Sequence, residues 1–280
     1  MATARASDAP APPDPAPAAR AGRRAKPKAP PPTLVFFVRH GTTPTTGQVL
    51  PGRAPGLHLG DAGRAEAEAV AERLAALTPL AALTGPADTG AGAHSTNGPA
   101  ANGASPTTRG NGSRAARRPA PLTIAAIYAS PLERARETAA PIGARLGLPV
   151  VVERGLIEMD FGDWTGAELK ALRKLPEWAT IQRYPSGFQF PAGEGFSAMR
   201  ARMAGTIATL CERHRGQAIV AVSHADTIKA AVSDALGTHL DLFQRIVISP
   251  CSVTAISYSA TGPVVLAVNS TGGLGSLTPA

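Results

Sequence analysis

The stretch Leu34-Val35-Phe36-Phe37-Val38-Arg39-His40-Gly41-Thr42-Thr43 decides how the rest of the chain is read. Five apolar residues in a row, entered from prolines, predict a strand buried on both faces. Such a strand belongs to a parallel sheet sandwiched between helices. The run ends on Arg39, His40 and Gly41, and in open α/β sheets ligands sit outside the carboxyl ends of the strands. Arg39 offers a planar fork of donors to phosphate oxygens. Gly41 leaves room for an anion to approach backbone N–H groups. A neutral imidazole at His40, with its other nitrogen held as a donor, can attack phosphorus. A histidine at a strand end is also commonly a hydrogen-bonded loop residue, so the triplet needs support from elsewhere.

Working outward, a Gly/Thr/Pro loop runs from Gly41 to Gly60, and Asp61 opens a helix over 61–77. Its expected apolar stripe is Ala65, Ala69, Val70, Leu74 and Leu77, with Arg73 on the same side. A second buried strand covers 124–128, and Ser130-Pro131 starts a helix to Leu146 that Pro141 is expected to kink or split. Val150–Val152 form a third strand, followed by an irregular stretch to Gly166 and short helices near 166–174 and 176–183. A long helix over 196–214 buries Phe196, Met199, Met203, Ile207 and Leu210. A buried strand over 217–222 leads into a helix just after His224, and two last strands lie near 251–258 and 264–268. Strands and helices mostly alternate, which predicts an α/β class: a single three-layer α/β/α domain with a largely parallel sheet.

Composition sets the domain limits. Residues 1–32 are rich in Ala, Pro, Arg and Lys, and residues 84–120 in Gly, Ala, Ser, Thr, Asn, Pro and Arg. Neither has the large apolar side chains that offset the entropy of ordering, so both are expected to be disordered. The domain is then 33–275, interrupted by the insert 84–120. The net charge is +8, but the tail contributes +4 (six Arg/Lys against two Asp) and the insert +3 (four Arg against one Asp), leaving +1 for the rest. A nucleic-acid partner would need a basic stripe on folded surface, so none is expected. Two cysteines without ligand-like spacing point to a reducing, cytoplasmic setting, and no apolar run is long enough to span a membrane. The histidines show no HxH or HExxH spacing, so neither a metal nor another cofactor is expected.

Three further stretches carry chemistry. Ser223-His224-Ala225-Asp226 follows a buried strand and opens a helix, whose N-terminus favours an anion. Ser130 to Ala139 puts Arg134 in the first helical turn at the same sheet edge, unfavourable for the helix dipole unless an anion offsets it. In the loop Leu156 to Gly166, Glu158 between Ile157 and Met159 is a candidate for a desolvated general acid, with Asp160 and Asp163 as competitors.

Together these stretches resemble the histidine phosphatase superfamily, in its phosphoglycerate mutase-like branch. Arg39-His40-Gly41 with Thr43 looks like the family's RHGxT signature. Ser130-Pro131-Leu132 with Arg134-Ala135 and Thr138-Ala139, Glu158 before Phe161-Gly162-Asp163-Trp164-Thr165-Gly166, and Ser223-His224 look like its other motifs, in the family's order. The runs Pro191-Ala192-Gly193-Glu194, Asp241 to Val247 and Asn269 to Gly273 are similar to a bacterial branch regarded as phosphomutases. The resemblance implies a phosphoglycerate mutase-like fold and a metal-independent phosphatase acting on a small phosphorylated metabolite. His40 would be the nucleophile, Arg39, Arg134 and His224 would hold the phosphoryl oxygens, and Glu158 would protonate the leaving group. Gly41, Thr43, Thr46, Arg53 and Ala225 would contact substrate. Alternatives are a phosphomutase of the phosphoglycerate mutase type and a catalytically silent relative that binds a phosphorylated ligand. The chain departs from the family at Ala225, where Gly is usual, and at Thr45 and Thr46, where an Asn is common. Arg173-Lys174 is the nearest candidate for the glycolytic mutase's carboxylate-binding pair.

Overall fold

A computed structural model describes residues 30–77 and 122–272. The segments expected to be disordered lie outside the described residues, apart from 30–32. The expected domain limits at 84, 120 and 275 also fall outside them.

Six strands form one sheet: β1 (Thr33–Arg39), β2 (Ile124–Ala129), β3 (Val150–Val152), β4 (Ala218–Ser223), β5 (Val253–Ser259) and β6 (Gly262–Ser270). Their order is β3-β2-β4-β1-β5-β6. The first four in that order run parallel, while β5 and β6 add an antiparallel edge. The sheet is therefore mixed, largely parallel at its centre. The helices are α1 (Asp61–Ala75), α2 (Glu133–Leu146), α3 (Leu169–Leu172), α4 (Pro176–Arg183), α5 (Phe196–Arg213) and α6 (Ala225–Ala235).

The period of two in β1 feeds two separate cores. Leu34, Phe36 and Val38 pack with α1 and α2 residues such as Val70, Leu74 and Ile142. Val35 and Phe37 face Met203, Ile207 and Leu210 of α5 and Ile228 and Val232 of α6. Three layers result, as expected for a strand apolar on both faces. Each of Phe36 and Phe37, wholly buried, contributes about 2–3 kcal/mol of apolar burial. A third cluster of Met159, Phe161, Trp164, Phe190, Phe196 and Phe243 lies outside the sheet and supports the 159–164 loop. Its rings meet mostly edge to face, with Phe161 and Phe190 at 4.9 Å between centroids.

Two local expectations need correction. The buried stripe of α1 is Gly63, Ala67, Val70, Ala71 and Leu74, whereas Ala65 and Ala69 are exposed. The small residues let α1 approach closely: a Cβ on Gly63 would stand 2.0 Å from the Thr42 carbonyl oxygen. Pro141 does not split α2, which is continuous to Leu146 and ends on Gly147 at φ +65°. Buried residues on both sides of the proline, Thr138 and Ala139 before it and Ile142 and Leu146 after it, hold the helix together across the lost hydrogen bond.

Because β1, β2 and β4 are parallel neighbours, their carboxyl ends fall on one edge. The His40 N–H donates to the Ser223 carbonyl at 2.9 Å, and the Ser130 N–H to the Val222 carbonyl at 2.9 Å. Three loops far apart in sequence are thereby stitched side by side.

Candidate active site

His40 and His224 leave adjacent strands and their ring centroids stand 5.1 Å apart. The His40 Nδ1 lies 2.8 Å from the Gly41 carbonyl oxygen. A carbonyl can only accept, so Nδ1 carries the proton and Nε2 keeps its lone pair. Burial, then Arg134 and Arg39, push the His40 pKa down to about 3, so the ring is neutral at pH 7. A neutral ring with a bare Nε2 is what nucleophilic attack requires.

Arg134 is wholly buried in the first turn of α2. Its Nε donates towards His40 Nε2 at 3.3 Å and its Nη2 to the Gly52 carbonyl at 2.8 Å. Arg39 is held by one bond, from Nη1 to the Ile248 carbonyl at 2.6 Å. His224 caps α6 and is wholly buried. Its Nε2 meets Ser130 Oγ at 2.7 Å. That hydroxyl oxygen also accepts from the Leu132 N–H at 3.4 Å, which leaves it one proton and one lone pair for Nε2 of His224. Three buried nitrogens of this group have no hydrogen-bond partner among the described residues: Arg39 Nε, Arg134 Nη1 and His224 Nδ1. Unpaired buried donors are costly.

Glu158 is 7% exposed, and its Oε2 stands 3.9 Å from His224 Nδ1. Burial first, then Asp226, raise its pKa to about 7 against the pull of the Met159 N–H, Arg134 and Arg39. Its competitors are placed differently. Asp160 is paired with Arg53, and Asp163 is exposed.

A cleft of about 390 Å³ is lined by Arg39, His40, Thr43, Thr46, Glu158 and Ala225 among others, while the wholly buried Arg134 and His224 do not line it. Leu50, Phe161, Ile246, Val247 and Ile248 give it an apolar wall, and Asp226, Lys229 and Gln244 a polar one. A larger hollow of about 600 Å³ between α1 and α2, lined by His58, Arg64 and Glu137, contains none of the nucleophile, arginines or acid. Arg173 and Lys174 are exposed and do not line the cleft.

Two of the residues expected to contact substrate have other work. The Gly41 N–H is taken by Thr138 Oγ1 at 3.0 Å. The glycine is required because a Cβ there would lie 2.5 Å from the Gly63 carbonyl oxygen. Arg53 donates to the Glu158 carbonyl at 2.8 Å and to Asp160 and Glu194 at 3.2 and 3.0 Å, so three of its five N–H groups are taken by protein. Glu66 is a site residue the sequence reading missed. Its carboxylate accepts from the Thr42 N–H at 2.8 Å and the Thr42 hydroxyl at 2.9 Å, clamping the loop behind His40. A signal for it was the glycine at 63, which brings that face against the 41–42 peptide.

Two histidines, two arginines and a buried carboxyl are brought together from separate loops at one edge of the sheet, on a phosphoglycerate mutase-like fold. The chain belongs to the histidine phosphatase superfamily (branch 1), whose family model matches residues 35–88 and 105–271. It is 31% identical over 153 residues to phosphoserine phosphatase 1 of Hydrogenobacter thermophilus, covering 53% of this chain and 72% of that protein. It is 31% identical over 151 residues to the bifunctional protein Rv2228c of Mycobacterium tuberculosis, covering 53% of this chain but only 42% of that one. The fold is also that of the Entamoeba histolytica phosphoserine phosphatase H9A variant, solved with phosphoserine, at a TM-score of 0.63 and 20% identity over 85% of this chain and 98% of that one.

Proposed function

We propose that the chain hydrolyses a small phosphomonoester by passing the phosphoryl group through His40 Nε2. The observation that carries this reading is the set of three buried nitrogens without a partner among the described residues, Arg39 Nε, Arg134 Nη1 and His224 Nδ1, in the group around the unprotonated His40 Nε2. A phosphoryl group supplies the missing acceptors and spreads its charge over both guanidiniums.

The chemistry then runs in two displacements. His40 Nε2 forms a bond to phosphorus as the P–O bond to the alcohol breaks, and the Glu158 carboxyl gives its proton to the departing oxygen. The Glu158 carboxylate next takes a proton from water as that oxygen bonds to phosphorus, the N–P bond breaks, and inorganic phosphate leaves. A pKa of about 7 suits a group that must first give and then take a proton near neutrality. No step draws on a metal or cofactor, since alignment and charge stabilisation carry phosphoryl transfer.

Relatives named for phosphoserine phosphatase activity support a small phosphorylated metabolite as substrate. Mutase action would replace water by a hydroxyl of a second substrate. The exposed positions of Arg173 and Lys174 weigh against the glycolytic form. No helix among the described residues is long and apolar enough to cross a membrane, and a cytoplasmic setting fits the free cysteines Cys211 and Cys251. The near-neutral charge left once tail and insert are set aside fits a domain without a nucleic-acid partner. The test is hydrolysis of p-nitrophenyl phosphate in EDTA by wild type and His40→Ala. Wild type should be active and the variant silent; activity that survives the substitution, or that needs added metal, defeats the mechanism.

A further inference from the structure

The motif Pro191-Ala192-Gly193-Glu194 takes no part in the displacements above, yet its glutamate pairs with two arginines that hold the main chain on either side of the general acid. Glu194 precedes α5, and its side chain is 14% exposed. Its Oε1 accepts from Arg202 Nε at 3.0 Å, and its Oε2 from Arg202 Nη2 at 2.9 Å and Arg53 Nη2 at 3.0 Å. The two guanidiniums then reach the backbone of the acid loop. Arg202 Nη1 donates to the Gly155 and Ile157 carbonyls at 2.8 Å each, and Arg53 Nε to the Glu158 carbonyl at 2.8 Å. The peptides before and after the Glu158 Cα are thus gripped by different arginines, and one carboxylate holds both.

The two loops also touch directly. The Glu194 N–H donates to the Asp160 carbonyl at 2.8 Å. A Cβ on Gly193 would lie 2.6 Å from that same carbonyl oxygen, and one on Gly162 would lie 2.0 Å from the Pro191 carbonyl oxygen. Without the Glu194 carboxylate, Arg202 would lose its carboxylate partner among the described residues and Arg53 would keep only Asp160, leaving two cations close together at a partly buried site.

We propose that Glu194 is a positioning residue for the general acid: it sets where the Glu158 carboxyl stands by holding Arg53 and Arg202 against the carbonyls on either side of it. This rests on the phosphatase reading above and adds to it a reason for the second motif loop. Glu194 exchanges no proton and touches no substrate.

A misplaced acid has a signature that general loosening lacks. An alkyl phosphate needs its leaving oxygen protonated, whereas p-nitrophenolate departs without a proton. The experiment measures kcat/KM, which reports steps only through loss of the alcohol, for β-glycerophosphate and p-nitrophenyl phosphate. Wild type, Glu194→Gln, Arg53→Lys and Glu158→Gln are compared, each with a thermal melt. Glu194→Gln is expected to lower the alkyl value tenfold to about a hundredfold, the cost of a displacement of order 1 Å, and the aryl value less than about threefold. Arg53→Lys should show the same bias and serves if Glu194→Gln does not fold. Equal losses on both esters, or no loss on either, overturn the proposal, as does a Glu158→Gln enzyme that treats the esters alike. An enzyme that needs His40, discriminates at Glu158→Gln and does not at Glu194→Gln overturns this inference alone. Activity in His40→Ala brings down the reading beneath it.

Discussion

Replacing Glu158 by Gln should make the folded chain more resistant to unfolding at pH 8 than at pH 5, relative to wild type. In the folded state the carboxyl titrates at about 7, against 4.5 for an ordinary glutamate. Between those values the folded state holds a proton that the unfolded state has released. Stability from this group is therefore full below 4.5, falls as pH rises towards 7, and is constant above it. At about 1.4 kcal/mol per tenfold ratio, wild type loses about 3 kcal/mol by pH 8 and only about 1 kcal/mol by pH 5. Gln carries no such slope, and its amide oxygen can still accept from the Met159 N–H, which now donates to Glu158 Oε1 at 2.9 Å. The difference in unfolding free energy, variant minus wild type, should thus grow by about 2 kcal/mol from pH 5 to pH 8, several degrees in melting temperature for a domain of this size. Urea unfolding of both proteins at four pH values measures it. A difference that stays constant within about 0.5 kcal/mol would mean that the buried carboxyl has an ordinary pKa, and the general-acid role would lose its physical basis.

Two further substitutions test the frame around the nucleophile. Arg134→Lys removes the donors to His40 Nε2 and to the Gly52 carbonyl and cannot replace the planar fork, so kcat/KM should fall by about 10²–10³ with the fold kept, as steady-state kinetics and circular dichroism will show. Gly63→Ala would press a methyl to 2.0 Å from the Thr42 carbonyl oxygen and 2.8 Å from its nitrogen; with backbone atoms that cannot swing aside, about 1–3 kcal/mol of stability should be lost in denaturant titration, together with activity.

How far the sequence could be read depended on whether a residue's role was local. Val35 to Val38 announced a doubly covered strand because both faces were apolar, and the cores on either side of β1 follow from that. His40, Arg39, Arg134 and His224 were legible because each sits directly after a strand or in the first turn of the helix that follows, where topology leaves little choice. Glu158 and Asp160 are both flanked by apolar residues, so the sequence left them as competitors; the burial that lifts the Glu158 pKa comes from packing no local pattern encodes. Arg53 and Gly41 have protein partners that the sequence did not show, for a related reason. A loop arginine and a loop glycine look available to a ligand until the distant partners Glu194, Asp160, Thr138 and Gly63 are brought against them. The stripe of α1 was missed because alanines on both its faces made them indistinguishable, and only close contact with the 41–42 peptide separated them.

Each arginine around the reaction centre holds at least one main-chain oxygen: Arg39 that of Ile248 and Arg134 that of Gly52, while Arg53 and Arg202, besides their carboxylate partners, hold those of Glu158, Gly155 and Ile157. A peptide oxygen is present whatever side chain its residue bears. Over generations, then, positions such as Ile248 can drift in size and polarity, reshaping which alcohol the wall welcomes, while the grip on phosphorus is inherited unchanged.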